Sequence, residues 1–206
     1  MGVFIKICGC CSRDDVEAVS ELNPDAVGFI LWKGSKRYVR PGDVAEWVKA
    51  LPASIKKVGV FVNATQEDIR EAVSTAGLDV VQLHGEESPA FCEGLEGEVW
   101  KAIHLNRAMP ASLEDYPVEA FLVDHHGGVQ PGGTGVAVDW EAAARFVADA
   151  PKKVLLAGGL NPNNVAEAVG TVRPWGVDVS SGVESEVGKK ALNKVKDFIT
   201  ACRSVE

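Results

Sequence analysis

The sequence predicts an α/β fold, a single (β/α)8 TIM barrel of eight parallel strands with outer helices. Two observations predict it: eight short runs rich in Val, Ile and Phe alternate with amphipathic stretches, and 206 residues suffice for one sizeable core. Strands that alternate with helices form parallel sheet through right-handed crossovers. Eight such units in about this length close into a barrel. We therefore expect one catalytic domain over residues 1–206.

The predicted strands have Gly, Asp or Asn near their ends. They occupy residues 3–7, 26–31, 57–62, 79–83, 98–102, 119–123, 153–157 and 175–179. The predicted helices lie between and after them, at residues 13–22, 42–51, 66–76, 87–95, 110–115, 140–149, 162–172 and 188–202.

Start signals support three of these helices. Thr65, Asp139 and Asn161 each precede a predicted helix, and Pro162 suits a first helical turn. The stretch 104–118, by contrast, contains two prolines and little helical periodicity. An open doubly wound sheet is the alternative architecture, but it expects a GxGxxG turn after the first strand. That strand is followed by Cys8-Gly9-Cys10 instead, which favours the barrel.

Composition excludes several classes of function. The formal net charge is −8 and no Lys/Arg run is present, which argues against nucleic acid and anionic membrane surfaces as partners. No apolar run is long enough to span a bilayer. The cysteines are odd in number, five, and no signal peptide precedes them, so we expect thiols in a reducing cytoplasm.

Glycine-rich segments follow the last three predicted strands, where a barrel commonly binds phosphate. Bare backbone amides can approach a phosphate closely, and a short helix near Ser181 would add a favourable dipole. Any one such cluster is more simply a turn, but three on consecutive strand ends predict a phosphate site. The candidate phosphate-binding residues are Gly133, Gly158, Gly159, Ser180, Ser181 and Gly182.

Cys8 closes the first predicted strand and is a candidate general base. Strand side chains alternate, so Lys6 shares its face. If that face is the barrel interior, the Lys6 ammonium lies about 6–7 Å below the thiol and favours the thiolate. The alternatives are a small buried hydrophobe for Cys8 and a solvated strand-end residue for Lys6.

Two aspartates follow predicted strands. Asp124 follows the sixth strand, nearly opposite Cys8 around the ring, and is a candidate general acid if burial raises its pKa. Asp178 lies just before Ser180 and is a candidate substrate ligand. The alternatives are a cap or turn for Asp124 and a hydrogen bond to loop amides for Asp178.

Three further side chains are candidates for binding substrate. Arg37, after the second strand, has a fork that suits a carboxylate, although a solvated surface arginine is equally plausible. Gln82 and His84 flank the end of the fourth strand and can line a pocket, or His84 can make a structural hydrogen bond. The roles of Cys10, Cys11, His125 and His126 stay open. Neither group has paired metal-ligand spacing, so we expect no metal.

A family resemblance runs in order through nearly the whole chain. Seven motifs carry it: Lys6-Ile7-Cys8-Gly9, Gly59-Val60-Phe61-Val62-Asn63, Val81-Gln82-Leu83-His84-Gly85, Gly132-Gly133-Thr134-Gly135, Asp139-Trp140, Leu156-Ala157-Gly158-Gly159-Leu160-Asn161-Pro162 and Val177-Asp178-Val179-Ser180-Ser181-Gly182-Val183-Glu184. They resemble the phosphoribosylanthranilate isomerases, enzymes of tryptophan biosynthesis. Cys10, Cys11 and Lys36 depart from residues usual in that family.

The resemblance implies an Amadori rearrangement of the small phosphorylated substrate N-(5-phosphoribosyl)anthranilate. It implies Asp124 as general acid, Cys8 as general base and Arg37 as the ligand of the anthranilate carboxylate. It places the phosphate on the backbone at Gly158, Gly159, Ser181 and Gly182. No cofactor is implied, because the imine formed on ring opening is itself the electron sink. Monomer and homodimer are both plausible.

Two rival interpretations remain. The isomerase of histidine biosynthesis performs the same type of rearrangement, but it resembles a doubled half-barrel with an Asp at the first strand end and a second phosphate site. A non-catalytic phosphate-binding barrel would keep the glycines and need neither Cys8 nor Asp124.

Overall fold

A computed structural model describes residues 2–105, 112–124 and 139–205, and these form a closed barrel of eight parallel strands. The predicted fold class is confirmed. The strands pair in sequence order around the ring, and β1 pairs with β8 to close it. They are β1 Phe4–Cys8, β2 Ala26–Ile30, β3 Lys56–Phe61, β4 Val80–Leu83, β5 Glu98–His104, β6 Ala120–Asp124, β7 Lys153–Leu156 and β8 Gly176–Val179.

The helices cover the outside of the barrel. They are α1 Arg13–Ser20, α2 Pro41–Trp47, α3 Gln66–Ala76, α4 Pro89–Glu93, α5 Trp140–Asp149, α6 Val165–Val172 and α7 Leu192–Arg203. Two predicted start signals are confirmed, because the side chains of Thr65 and Asp139 accept hydrogen bonds from backbone N–H groups in the first turns of α3 and α5. Within the described ranges, no helix combines the length and apolar character that crossing a membrane requires.

Three predicted helices differ from the structure. Residues 162–164 form a turn, so α6 begins at Val165 and Pro162 does not stand in its first turn. The Asn161 side chain accepts the N–H of Asn163, which favours the turn. Of the predicted helix 110–115, residues 112–115 are not helical, and the other two lie outside the described residues.

The third difference concerns the predicted helix 188–202. Residues 189–190 instead form the short strand β10, Lys189–Lys190, which pairs antiparallel with β9, Glu184–Glu186. Gly188 has a φ of 83°, in the left-handed region that favours glycine, and it allows the chain to turn back. A short 3-10 helix, Ser181–Val183, joins β8 to this hairpin.

Alternation along the strands divides the core in two. One large cluster lies between strands and helices, and a smaller one fills the barrel interior with Val58, Trp100, Leu122 and Leu155 among its members. Above this apolar interior, polar side chains occupy the carboxyl ends of several strands. The functional site therefore lies on top of a packed floor.

Candidate active site

A cavity opens at the carboxyl ends of the strands. It brings together the predicted residues Cys8, Arg37, Gln82, His84, Asp124, Gly158, Gly159, Asp178, Ser180, Ser181 and Gly182. Gly133, His125 and His126 lie outside the described residues.

The Cys8 thiol stands above a buried ion pair. Lys6 is fully buried, and its Nζ donates to Oδ1 of Asp178 at 2.9 Å. The charge of the same ammonium lowers the pKa of the Cys8 thiol. The interpretation of Lys6 as a solvated strand-end residue is therefore wrong, and the shared interior face of Lys6 and Cys8 is confirmed.

Burial dominates the electrostatics of this thiol. Desolvation raises the pKa of Cys8 above its ordinary value, and the Lys6 ammonium opposes the shift without cancelling it. Burial by itself would lower the pKa of Lys6, but Asp178 and Cys8 outweigh it and raise that pKa. The site therefore holds a charged lysine beside a thiol whose pKa is raised by burial and lowered in part by that lysine.

Asp124 ends β6 and faces His84 across the pocket. The His84 Nε2 lies 3.2 Å from Oδ2 of Asp124, in contact but not aligned as a hydrogen bond. Nδ1 of His84 lies 3.1 Å from the side-chain nitrogen of Gln82, which is a donor. One ring nitrogen of His84 thus contacts the Gln82 amide, and the other lies beside the Asp124 carboxyl group. His84 therefore has both a structural hydrogen bond and a place in the pocket wall.

The glycines after β7 and β8 have backbone conformations that other residues rarely adopt or tolerate. Gly158 and Gly159 have φ values of 80° and 69°. At Gly182, a Cβ atom would lie 1.9 Å from the carbonyl oxygen of Leu160, so only glycine lets these two loops meet. The buried Ser180 Oγ has no hydrogen-bond partner among the described residues and lies in the pocket wall. The loops thus offer backbone amides to an anion.

Arg37 is neither solvated nor unpaired. Its Nε and Nη2 atoms donate to the two carboxylate oxygens of Glu184, each at 2.7 Å. Burial alone would raise the pKa of Glu184, but the hydrogen bonds from Arg37 and the charge of Lys190 lower it. Glu184 is therefore an anion, and Arg37 remains in the pocket wall with part of its fork engaged.

The sequence analysis missed two groups of residues in and around the pocket. Trp32 lies beside Ile30, Val60 and Val62, and together they give the cavity an apolar wall. An aromatic residue just after a strand was the available signal. The second group is the pair Glu184 and Lys190 on the β9–β10 hairpin, of which only residues 188–190 fall in the predicted helix 188–202.

Metal binding finds no support in this part of the molecule. Across the described ranges, no group of His, Cys, Asp and Glu side chains has the geometry to hold a metal ion. Cys10 is fully buried, and burial raises the pKa of its thiol to about 12, so it is an inert core residue.

Comparisons with known proteins extend over the whole chain. The family model for N-(5'-phosphoribosyl)anthranilate (PRA) isomerase matches residues 5–201. A curated relative of that name from Citrifermentans bemidjiense is 42% identical over 202 residues, covering 98% of this chain and 97% of the relative.

Solved structures give the same result. The crystal structure of phosphoribosyl anthranilate isomerase from Thermus thermophilus has a TM-score of 0.88 and 33% identity, covering 98% of this chain and 99% of that one. A phosphoribosyl anthranilate isomerase in complex with reduced 1-(o-carboxyphenylamino)-1-deoxyribulose 5-phosphate has a TM-score of 0.83 and 35% identity, with the same coverage.

Proposed function

Since the chain belongs to the N-(5'-phosphoribosyl)anthranilate isomerase family, we propose that it catalyses the Amadori rearrangement of N-(5-phosphoribosyl)anthranilate to 1-(2-carboxyphenylamino)-1-deoxyribulose 5-phosphate in tryptophan biosynthesis. The observation that carries the proposal is the convergence of Cys8, Asp124, Arg37 and the glycine-rich loops on one cavity. An acid, a base, a cation and an anion cradle are the groups that this reaction needs.

Asp124 is the general acid of the proposed mechanism. It donates a proton to the furanose ring oxygen as the C1–O bond breaks, and the ring opens to a Schiff base between C1 and the anthranilate nitrogen. Its position at the end of β6, within a pocket wall that leaves it only 6% exposed, keeps water from competing for that proton.

Cys8 is the general base. It removes the proton from C2, the electron pair moves toward the imine, and the resulting enolamine tautomerises to the ketone. One proton is donated at the ring oxygen and one is removed at C2, so no oxidant, reductant or cofactor is required. The Lys6 ammonium beside the thiol stabilises the thiolate that this step calls for.

The remaining pocket residues bind the two ends of the substrate. Arg37 takes the anthranilate carboxylate, and Trp32 with its apolar neighbours packs against the aromatic ring. Gln82, His84 and Asp178 face the ribose hydroxyls. The phosphate lies against the segments that contain Gly158, Gly159, Ser180, Ser181 and Gly182, and Gly133 stays a phosphate-binding candidate from the sequence alone.

A turnover assay with two substrates tests the proposal. Purified protein should consume N-(5-phosphoribosyl)anthranilate, followed by loss of anthranilate-type fluorescence, without an added cofactor. The aminoimidazole ribonucleotide substrate of the histidine-pathway isomerase should be turned over far more slowly. Turnover of the histidine intermediate alone, or of neither compound, would refute the assignment.

A further inference from the structure

The buried ammonium of Lys190 connects three parts of the active site. Its side chain is fully buried, and Nζ lies 2.6 Å from the carbonyl oxygen of Cys8, 3.2 Å from that of Ser180 and 3.1 Å from Oε1 of Glu184. An ammonium has three N–H donors, and these acceptors use all of them. Lys190 is thus fixed by the first strand and the phosphate loop, and it fixes Glu184 in turn.

The Glu184 carboxylate binds one edge of the Arg37 guanidinium. The contact uses Nε and one hydrogen of Nη2, which form one of the two parallel donor pairs of a guanidinium. The other edge, Nη1 with the second hydrogen of Nη2, has no hydrogen-bond partner among the described residues. A second carboxylate can therefore bind Arg37 while Glu184 remains in place.

Close packing fixes the stem of Arg37 as well. Gly9 has a φ of 74°, and a Cβ atom there would lie 3.0 Å from Cδ of Arg37 and 3.7 Å from Nζ of Lys190. Both long side chains therefore cross directly over the turn that follows Cys8. Their positions are tied to the backbone of the residue proposed as the base.

We propose that Glu184, itself held by Lys190, is a positioning residue that aims the open edge of Arg37 at the substrate carboxylate. The proposal rests on the proposed function, in which Arg37 binds that carboxylate. Neither Glu184 nor Lys190 needs to touch the substrate. The contact with Lys190 restricts the Glu184 carboxylate to one preferred position. The contact with Glu184 in turn restricts the Arg37 guanidinium to one preferred orientation.

The positioning hypothesis and a purely electrostatic hypothesis predict opposite changes in carboxylate binding for Glu184→Gln. Glu184→Gln removes an anion beside Arg37, so charge alone would strengthen the binding of a carboxylate. The amide, however, cannot accept from both Arg37 donors, and the fork loses its fixed orientation. Positioning therefore predicts weaker binding of the carboxylate.

The experiment measures binding by calorimetry with two probes. One is reduced 1-(o-carboxyphenylamino)-1-deoxyribulose 5-phosphate, and the other is the same compound without its ring carboxylate. The preference is the dissociation constant of the probe without the carboxylate divided by that of the carboxylated probe. This ratio reports on the carboxylate alone, because changes at the phosphate or in the fold affect the binding of both probes alike. We expect Glu184→Gln and Lys190→Met each to reduce the preference for the carboxylated probe by about tenfold, at the lower end of what charge-assisted hydrogen bonds contribute.

Matched controls lie on the same hairpin. Glu186 and Lys189 form an exposed ion pair one register position away, at 3.5 Å. Glu186→Gln and Lys189→Met should leave the ratio unchanged. Glu184→Asp, which keeps the charge on a side chain one methylene shorter, replaces Glu184→Gln if the latter does not fold, and it should also lower the ratio.

Arg37→Met separates this proposal from the function on which it rests. If Arg37→Met leaves the ratio unchanged, the carboxylate does not bind Arg37 and the proposed role of that residue is wrong. If Arg37→Met abolishes the preference while the folded Glu184 and Lys190 variants retain or increase it, the positioning proposal is overturned.

Discussion

Lys6 and Asp178 face each other across the β1–β8 seam, with Nζ and Oδ1 2.9 Å apart and their Cα atoms in register. The ion pair is buried directly beneath the Cys8 thiol. Its cation has the largest effect opposing the desolvation of the thiolate. Burial raises the pKa of the Cys8 thiol most, Lys6 lowers it and Asp178 raises it, so Lys6 is the member of the pair that favours the thiolate.

Lys6→Met should move the reactivity of Cys8 to higher pH. Burial raises the pKa of the thiol and Lys6 lowers it, so loss of Lys6 raises the pKa further and reduces the thiolate fraction at any given pH. The measurement is the rate of alkylation by iodoacetamide against pH, with Cys8 located by fragment mass spectrometry in a Cys11→Ser background. Bound product should slow the reaction.

Lys57→Met is the matched control for this experiment. Lys57 also lies on a strand and pairs with an aspartate, Asp79, at 3.3 Å, but it does not line the pocket. Its loss should leave the alkylation profile in place. If the pH profile of alkylation is unchanged in Lys6→Met, or moves to lower pH, the role assigned to Lys6 is excluded.

Cys8→Ala and Asp124→Asn should each lower kcat by about 10²–10⁴-fold, the usual contribution of general acid–base catalysis. Each change removes a proton-transfer group and leaves the anion-binding loops intact. Steady-state kinetics on N-(5-phosphoribosyl)anthranilate checks this. Cys92→Ala and Asp79→Asn, outside the pocket, are the controls. Near-normal turnover by both active-site variants would contradict the acid and base roles assigned to Asp124 and Cys8.

Gly28→Ala should impair catalysis more than folding. A Cβ atom at Gly28 would lie 2.7 Å from Sγ of Cys8 and 3.1 Å from its Cα, so the thiol must move. We expect kcat to fall by about tenfold or more, since small displacements of a reacting group are costly. Gly42→Ala, whose added methyl meets nothing within 4 Å, should have normal kcat. Equal turnover by the two variants would contradict the packing around Cys8.

Leu155→Ala should destabilise the barrel by about 2–5 kcal/mol, the range for truncation of a buried leucine. Leu155 is fully buried in the interior cluster below the pocket. Urea denaturation measures the change in the free energy of unfolding. Val187→Ala is the control, because Val187 is 56% exposed, and its effect should stay below about 0.5 kcal/mol. Similar midpoints for both variants would argue against a tightly packed interior.

Much of the barrel and its pocket could be predicted because the deciding signals are local. Alternation along β1 was enough to place Lys6 and Cys8 on one face. The caps at Thr65 and Asp139 were enough to begin α3 and α5 at the correct residues. Glycine clusters after consecutive strands identified the edge at which the cavity opens.

The partners of Arg37 could not be predicted because they are distant in sequence. Glu184 lies 147 residues further along the chain. Lys190 lies in a segment with helical composition, and its strand conformation depends on acceptors at Cys8 and Ser180. Local propensity is a weak prior where a buried ammonium must find three carbonyl or carboxylate oxygens.

Closure between the first and last strands has a consequence for biosynthesis of the protein. The Lys6–Asp178 contact spans 172 residues, and the contact of Lys190 with Cys8 spans 182. A ribosome must therefore release nearly the whole chain before the thiol acquires its ionic neighbours. Until then β1 keeps an open edge that invites association with other chains. Catalytic activity during refolding should accordingly appear last, after helix content and compactness have recovered.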